Sequence, residues 1–472
     1  MADTDPKPRN QRVRDPVHGL IVFRAVNALD QLAWRLLDSP EFQRLRRIKQ
    51  LGPAEFVFPS ATHSRFAHCI GVFHTARKLV EVIEREIERE PHDSRGADQK
   101  RAEHERRAEV AILAALLHDI GHGPLSHAFE DVQKARRKPK KHEKWSAEIV
   151  RNETGRIRTL LEKHRAGLAE EIARLLELED PEDIYHAVVS SSFDADRLDY
   201  LRRDRLMTGT HAGAIDFDWL MEHVRVRPIA IEGPDEGDAN GDGQNEIATF
   251  CLDRKALPAA EQFLLSRFTL HEQVYFQKVK RCVEQMLSEL LGRVAKYASS
   301  RDRARQTGLT KNNSLLAFFS SGSLEDYLKL DDTVLWGCVE AMTRAEDGEI
   351  AELASRLRER RLYKTIDLAE VGADLGAQVH CAKKIDRKFS KEIAERKVIK
   401  DEAARLSIYT QVGGDEERMH KKLHVLDGGK PVEISKQSPL VKSLVEPRTF
   451  TRYYFAAESD RDIAKTLLKG RA

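Results

Sequence analysis

The sequence predicts a mainly α-helical protein with one small β-hairpin and a mixed α+β region at its C-terminal end. Three observations lead there. Apolar residues recur at three- and four-residue intervals over most of the first 300 positions, the period of a helix with one buried face. Within that span, a pair of strand-like segments stands at 224–231 and 247–252. Beyond residue 300, helical stretches near 325–330, 332–344, 348–360 and 460–468 are interrupted by strand-like pieces at 406–412 and 431–434.

Taken in order, residues 1–13 read as a flexible tail and RDPVHGLIV, 14–22, as a turn with a short strand. Asp30 is placed to cap a helix over 31–37. Pro40 suits the first turn of the next helix, whose Phe42, Leu45, Ile48 and Leu51 share a face. GPAEFVFPSATHS reads as a loop, and Phe66 to about residue 90 as a long amphipathic helix. The charge run that follows reads as a solvated helix end and loop, and 109–118 as a short helix apolar on nearly every side. Further helices are expected at 146–162, 168–178, 182–205, 217–223 and 257–298, and a charged one near 384–404. The acidic, Gly-rich IEGPDEGDANGDGQNE joins the two strands as a long hairpin loop.

Composition narrows the function. The 472 residues hold 79 Lys+Arg against 77 Asp+Glu, a net charge of +2, which excludes a globally basic nucleic-acid coat. Five cysteines lie far apart without a CxxC pair, which excludes a disulfide framework or zinc ribbon and fits a reducing compartment. The N-terminus MADTDPKPRNQ has no apolar segment, and the longest apolar run, Val110 to Leu117, is too short to cross a bilayer. A cytoplasmic protein with no membrane partner is expected.

Chemistry concentrates in the histidines of the first third. His118 and Asp119 close the apolar helix in LAALLHDIGHGPLSH, where a carboxylate must be paired, hydrogen-bonded or bound to metal. A lone His-Asp pair at a helix end is common by chance. Here it has company: His68 in HSRFAHCIGV, and Asp196 in SSSFDADRLDYLRRD, both on helices with apolar periodicity. Two imidazoles and two carboxylates make a cage suited to a first-row transition metal or zinc rather than calcium.

This H…HD…D arrangement resembles the HD-domain phosphohydrolases. The runs DSPEFQRLRRIKQLG, FPSATHSRFAHCIGVFHTA, LLHDIGHGPLSHAFE, FDADRLDYLRRD and SRFTLHEQVYFQK stand in the order found in deoxynucleoside triphosphate triphosphohydrolases, including the vertebrate SAM-and-HD-domain enzymes and bacterial relatives. The resemblance covers roughly 14–300, shows no counterpart of a SAM domain, and is weak beyond 300. It implies a catalytic core over 14–300 and a region 301–472 carrying oligomer contacts, in a homotetramer. It places a divalent metal (Fe, Mn, Zn or Mg) on His68, His118, Asp119 and Asp196, with Mg accompanying the nucleotide. Acid-base and phosphate roles fall on His122, His127, Glu130 and His142, with His127 as general acid and Glu130 orienting it. Substrate contacts fall on Arg65, Arg197, Arg267, Gln50, Leu51, Tyr200, Asp204 and Tyr275. A guanine-nucleotide activator site falls on Asp38, Gln43 and Arg46, with Arg14 where the family has an Asn.

The implied reaction converts a dNTP and water into a deoxynucleoside and tripolyphosphate. Two rivals share the same residues: an HD-type phosphodiesterase or nuclease acting on nucleic acid ends or signalling nucleotides, and a nucleotide-sensing binding protein. The run QKARRKPKKHEK, with seven Lys/Arg between 134 and 144, is either a solvated loop, a funnel for anionic nucleotides, or a contact for single-stranded nucleic acid.

Overall fold

The structure is a computed structural model that describes residues 9–89, 97–211, 214–230, 246–372, 374–406, 408, 421–445 and 448–469. The chain opens with an antiparallel hairpin, β1 (Gln11–Asp15) and β2 (Gly19–Phe23). A strand therefore begins inside the segment expected to be a tail. Helix α1 (Ala28–Leu37) is capped by Asn27, not Asp30, because the Asn27 side chain accepts the Asp30 N–H. Asp30 instead lies buried in the first turn, accepting from Arg24 N at 2.8 Å and facing Arg77 at 3.3 Å. One turn of helix, α2 (Pro40–Gln43), passes into a 3-10 turn over Arg44–Arg47, and Phe42, Leu45, Ile48 and Leu51 are all buried as their spacing predicts.

Helix α3 (Arg65–Glu88) matches its periodicity. Helix α4 (Ala97–Leu117) is twice the expected length: the charge run supplies its exposed first half, laced by Arg101–Glu105 and Glu103–Arg107 pairs. Then come α5 (His127–Ala135), α6 (His142–Arg151), α7 (Arg156–His164), α8 (Leu168–Glu177), α9 (Ile184–Val189), α10 (Ala195–Thr208) and α11 (Phe217–Glu222). Three expected helices are split, the third, 257–298, at Phe276 and Gln277. The first breaks between Arg151 and Arg156, and the second between Val189 and Ala195, where the Asp194 side chain caps α10 through the Arg197 N–H. After β3 (Val224–Ala230) and β4 (Glu246–Leu252), α12 (Leu257–Leu270) runs through a π turn at His271–Tyr275 before α13 (Lys278–Tyr297). The expected hairpin loop between β3 and β4 lies outside the described residues.

The rest of the chain forms α14 (Arg303–Thr307), α15 (Ser314–Ser321), α16 (Leu324–Leu328), α17 (Asp332–Met342), α18 (Gly348–Arg358), β5 (Lys364–Asp367), α19 (Leu375–Lys388), α20 (Ser390–Ala394), β6 (Val398–Leu406), β7 (His424–Asp427), β8 (Lys430–Glu433), α21 (Pro439–Ser443), β9 (Arg448–Phe455) and α22 (Glu458–Lys469). The single charged helix expected near 384–404 is not formed. The helix stops at Lys388, and 398–406 is a strand whose Val398 and Ile399 are buried beside Tyr454 and Phe455 of β9. Packing against a strand overrides a helix-friendly composition there. The strand expected at 406–412 thus ends where it was to begin, and 409–412 lie outside the described residues.

Two sheets result, in orders β3-β4-β7-β8 and β5-β9-β6. The expected hairpin is the first half of the former, and β7 joins it parallel to β4. One hydrophobic core gathers α3, α4 and α6–α10, and also takes Ile408, Leu423, Val425, Ile434 and Val441 from beyond residue 300. A second, around α13 and α15–α18, takes Leu125, Phe129 and Trp145 from before it. The chain thus crosses the expected boundary at 300 in both directions.

Close packing against backbone is strict at Gly121, where an added Cβ would stand 2.2 Å from the His142 carbonyl and 2.3 Å from Ser146 N, both backbone atoms of α6. Gly121→Ala is expected to lower stability by roughly 1–3 kcal/mol in urea or thermal unfolding. Gly337→Ala in α17, where a Cβ meets nothing within 4 Å, is expected to be neutral or stabilising and serves as the comparison.

Candidate active site

Three helices deliver the metal-ligand set. His68 sits in the first turn of α3, which Ser64 caps. His118 and Asp119 follow directly on the end of α4, and Asp196 stands in the first turn of α10. His68 Nε2 lies 3.0 Å from Asp196 Oδ1 and 3.8 Å from Asp119 Oδ2. His118 Nε2 lies 3.4 Å from Asp119 Oδ1 and 3.7 Å from Asp196 Oδ1. All four expected ligands therefore converge.

The tautomers fit an ion. His68 Nδ1 is 2.7 Å from Asp199 Oδ2, and His118 Nδ1 is 2.8 Å from the Ala115 carbonyl, an acceptor that demands an N–H. With the protons held on Nδ1, both Nε2 lone pairs face the centre, and both atoms are buried without a hydrogen bond among the described residues. Two imidazole nitrogens with two carboxylates suit zinc, iron or manganese. In the ion-free chain, burial pushes the His68 imidazole down, but the flanking Asp196 and Asp199 carboxylates outweigh it and raise it to about 10. Burial would raise Asp119, yet Arg65, with His118 and His122, holds its carboxyl well below the usual range.

On the other side of Asp119 lies a wall whose cations are Arg65 and His142; burial, with those two cations, holds the His122 imidazole well below its usual range. Arg65 donates to Asp119 Oδ2 and, at 2.8 Å, to Ser126 Oγ. His122 Nε2 is 3.2 Å from Asp119 Oδ1, and its ring stacks on His142 at 3.8 Å. Glu130 meets His142 Nδ1 at 2.9 Å, a partner the sequence reading did not give it. Three residues into α5, its carboxylate reaches the start of α6. Burial works against charge on His142, but Glu130 and its acidic neighbours raise it to about 9, so it is cationic at neutral pH. His127 opens α5, and its side chain lies outside the described residues. The loop from α4 to α5 is strained: Leu125 and Ser126 have φ of 55° and 51°, uncommon for non-glycine residues. The Leu125 N–H donating to Asp332 Oδ1 at 2.7 Å and the Arg65 contact to Ser126 hold it there.

The expected substrate residues form one linked wall. Tyr275 OH donates to Asp204 Oδ2 at 2.6 Å, and Asp204 Oδ1 is 2.7 Å from His63 Nε2. The His63 carbonyl accepts from Gln50 N at 2.9 Å, while Leu51 is buried beside it. Tyr200 meets Tyr275 edge to face at 6.2 Å and is hydrogen-bonded to Arg267. Arg197 donates to Asp194 and to the Ser191 carbonyl. Gln50 Oε1 is buried with no hydrogen bond among the described residues. Asp199, His63 and Ser126 were missed by sequence reasoning. The available signals were the D-x-x-D spacing of Asp196 and Asp199, and His63 standing two residues before Arg65.

Asp38, Gln43 and Arg46 lie together at the α1–α2 junction. Gln43 Nε2 donates to the Leu37 carbonyl at 2.7 Å, Arg46 Nε donates to Gln43 Oε1 at 2.8 Å, and the Arg46 guanidinium rests 3.6 Å from the Phe66 ring centre. Asp38 is the exposed last residue of the α1 cap, and Arg14 is exposed on β1. Part of the basic run 134–144 is used in packing: Arg136 donates to the Phe319 carbonyl at 2.6 Å, and Lys140 lies 3.4 Å over Trp145 while pairing with Glu148.

The HD domain matches residues 65–204, and the HD associated region matches 314–452. An uncharacterized protein of Bacillus subtilis, YwfO, is 29% identical over 462 residues, 96% of this chain and 94% of that protein. A homologue in Dictyostelium discoideum of the deoxynucleoside triphosphate triphosphohydrolase SAMHD1 is 27% identical over 388 residues, 79% of this chain and 63% of that protein. This chain therefore spans less than two thirds of that enzyme. A crystal structure of a hypothetical protein from Aquifex aeolicus superposes with a TM-score of 0.68 at 26% identity, covering 97% of this chain and 99% of that one. Among the described residues, no helix is long and apolar enough to cross a membrane. The HD match falls on α3 to α10, the helices that bring His68, His118, Asp119 and Asp196 together: the chain carries an HD domain over 65–204 followed by an HD associated region over 314–452, and is a metal-dependent phosphohydrolase.

Proposed function

We propose that the protein is a dNTP triphosphohydrolase, releasing a deoxynucleoside and tripolyphosphate. The observation that carries this reading is the wall linking the ion site to Asp204, Tyr275 and Tyr200, with Arg65, Arg197 and Arg267 around it. The likeness to SAMHD1 proteins, which are deoxynucleoside triphosphate triphosphohydrolases by name, supports it. A nucleoside triphosphate needs fixed cations for its phosphates and a polar, aromatic seat for its sugar. The three arginines and a charged His142 supply the first. Asp204, Gln50 and the two tyrosines supply the second, reading a 3′-hydroxyl and crowding a 2′-hydroxyl.

A divalent transition-metal ion held by His68, His118, Asp119 and Asp196 supplies Lewis acidity and lowers the pKa of water. Around it, Arg65 keeps Asp119 ionised, and His142, braced by Glu130, stays cationic toward the phosphates. Hydrolysis at the α-phosphorus breaks its bond to the 5′-oxygen, which then needs a proton. His127 is the proposed general acid, with His122 on the wall beside Asp119 as the alternative donor. The same proposal includes magnesium arriving with the nucleotide, a homotetramer, and activation by a guanine nucleotide at Asp38, Gln43 and Arg46. An unchanged dATP turnover on adding GTP or dGTP would remove the activator while leaving the catalytic reading in place.

Incubation with each dNTP is expected to yield tripolyphosphate and deoxynucleoside from the first turnovers, resolved by anion-exchange chromatography. dNMP or dNDP as the main early product would overturn the reading in favour of a different phosphohydrolase. His127→Ala is expected to cut turnover by roughly 10²–10⁴-fold with nucleotide affinity largely kept. If only His122→Ala shows that pattern, the acid is His122.

His118→Ala and Asp196→Ala are expected to lose a near-stoichiometric ion in elemental analysis, with circular dichroism confirming the fold. An ion must also displace the proton that His68 retains up to about 10 in the free chain. Mn²⁺ affinity is therefore expected to rise from pH 6 to 8 by up to about tenfold per unit for one displaced proton, read by calorimetric titration.

A further inference from the structure

His68 has a carboxylate of one helix beside each of its ring nitrogens. Asp196 faces its Nε2 at 3.0 Å, and Asp199, one turn on along α10, accepts from its Nδ1 at 2.7 Å. Asp199 is fully buried, and its charge is met by Arg203, whose Nε and Nη2 donate to its two oxygens at 2.8 and 2.9 Å. One further partner comes from outside the helices. His18, in the turn of the N-terminal hairpin, is 1% exposed at its side chain, and its Nε2 lies 2.6 Å from Asp199 Oδ1. That turn is itself fixed: Asp15 Oδ1 accepts from Val17 N and His18 N, while Asp15 Oδ2 accepts from Arg203 Nη1 at 2.8 Å. Space for the cluster exists because residue 71 of α3 is glycine. A Cβ there would stand 1.9 Å from Asp199 Oδ1 and 2.5 Å from Arg203 Nη2.

We infer that His18 and Asp199 are positioning residues for the metal ligand His68, which makes the N-terminal hairpin a working part of the metal centre. Asp199 fixes the His68 proton on Nδ1 and so presents Nε2 to the ion. A carboxylate partner also raises the basicity of a ligating imidazole. His18 does not touch the ion site. It supplies a hydrogen bond to Asp199 Oδ1, and without it that oxygen would keep only the Arg203 Nη2 contact among the described residues. The inference rests on the ion site and not on the identity of the nucleotide.

The test is Mn²⁺ titration of the full-length, chelator-stripped chain, for wild type, His18→Phe, His18→Asn, His18→Gln and Asp199→Asn. Phe removes the donor, Asn is too short to reach Asp199, and Gln can bring an N–H to it. His18→Phe, His18→Asn and Asp199→Asn are expected to weaken Mn²⁺ binding by about 10–100-fold, with His18→Gln recovering most of the loss. A side chain that merely filled space would be replaced better by Phe than by Gln. Wild-type affinity in both His18→Phe and His18→Asn overturns the inference. So does a His18→Gln variant as weak as they are with a native circular-dichroism spectrum. If His18→Phe does not fold, the Asn and Gln pair decides the matter. Failure of the wild type itself to bind Mn²⁺ would remove the ion site along with the inference, whereas unaltered variants of a binding wild type remove the inference alone.

Discussion

A line of ionisable groups, buried from Asp15 of the hairpin through Arg203, Asp199 and His68 and ending at the part-exposed Asp196, runs between α3 and α10. Such groups are costly to bury unless each is met by a partner, and that constraint orders the surroundings. Gly71 leaves room for the cluster, and the hairpin turn fills its open side. The register of α10 against α3 is fixed, because a shift of one residue would take both carboxylates away from the same imidazole. The His68–Asp196 contact at one end of this line belongs to the candidate ion site, so the same contacts that satisfy buried charge also set the geometry there.

The elements legible in the sequence are those whose signal is local. Apolar spacing gave α3, and the apolar run with His118 and Asp119 marked the inner half of α4 and the cage. Phe42, Leu45, Ile48 and Leu51 were readable as one buried face although half of their segment is a 3-10 turn. Illegible features depend on what comes to meet a residue. Asp199 reads as one more acid on a helix rich in them, and only the arrival of His68, His18 and Arg203 distinguishes it. Glu130 could be matched to a histidine by chain proximity, but its described partner is twelve residues on, because α6 returns beside α5. Residues 398–406 have charged neighbours that favour helix, and their strand exists because β9 offers Tyr453, Tyr454 and Phe455 to pack on.

The pocket side is braced from the far end of the chain. The π turn that presents Tyr275 leaves carbonyls out of the helical ladder. Two of these neighbouring carbonyls find long-range or next-turn donors: Phe276 O receives Arg452 of β9, and Tyr275 O receives Lys280 of α13 at 3.4 Å. Phe276 also stacks on Phe450 of β9. The sheet β5-β9-β6 therefore acts as a buttress under the tyrosine that meets Asp204.

Arg44 has a similar reach. Its guanidinium is almost wholly buried and divides its hydrogen bonds between the Leu330 carbonyl just before α17 and the Ile120 and His122 carbonyls of the loop after the His-Asp pair. One planar cation thus rivets three stretches of chain, its partners lying 76 to 286 residues away in sequence. The segment that matches the HD domain, 65–204, includes neither Arg44 nor Leu330. What evolution transmits as a recognisable module and what stands up as a mechanical unit are therefore different objects in this protein. The smallest fragment able to hold its catalytic loop in shape must extend from the N-terminal hairpin to beyond the start of α17.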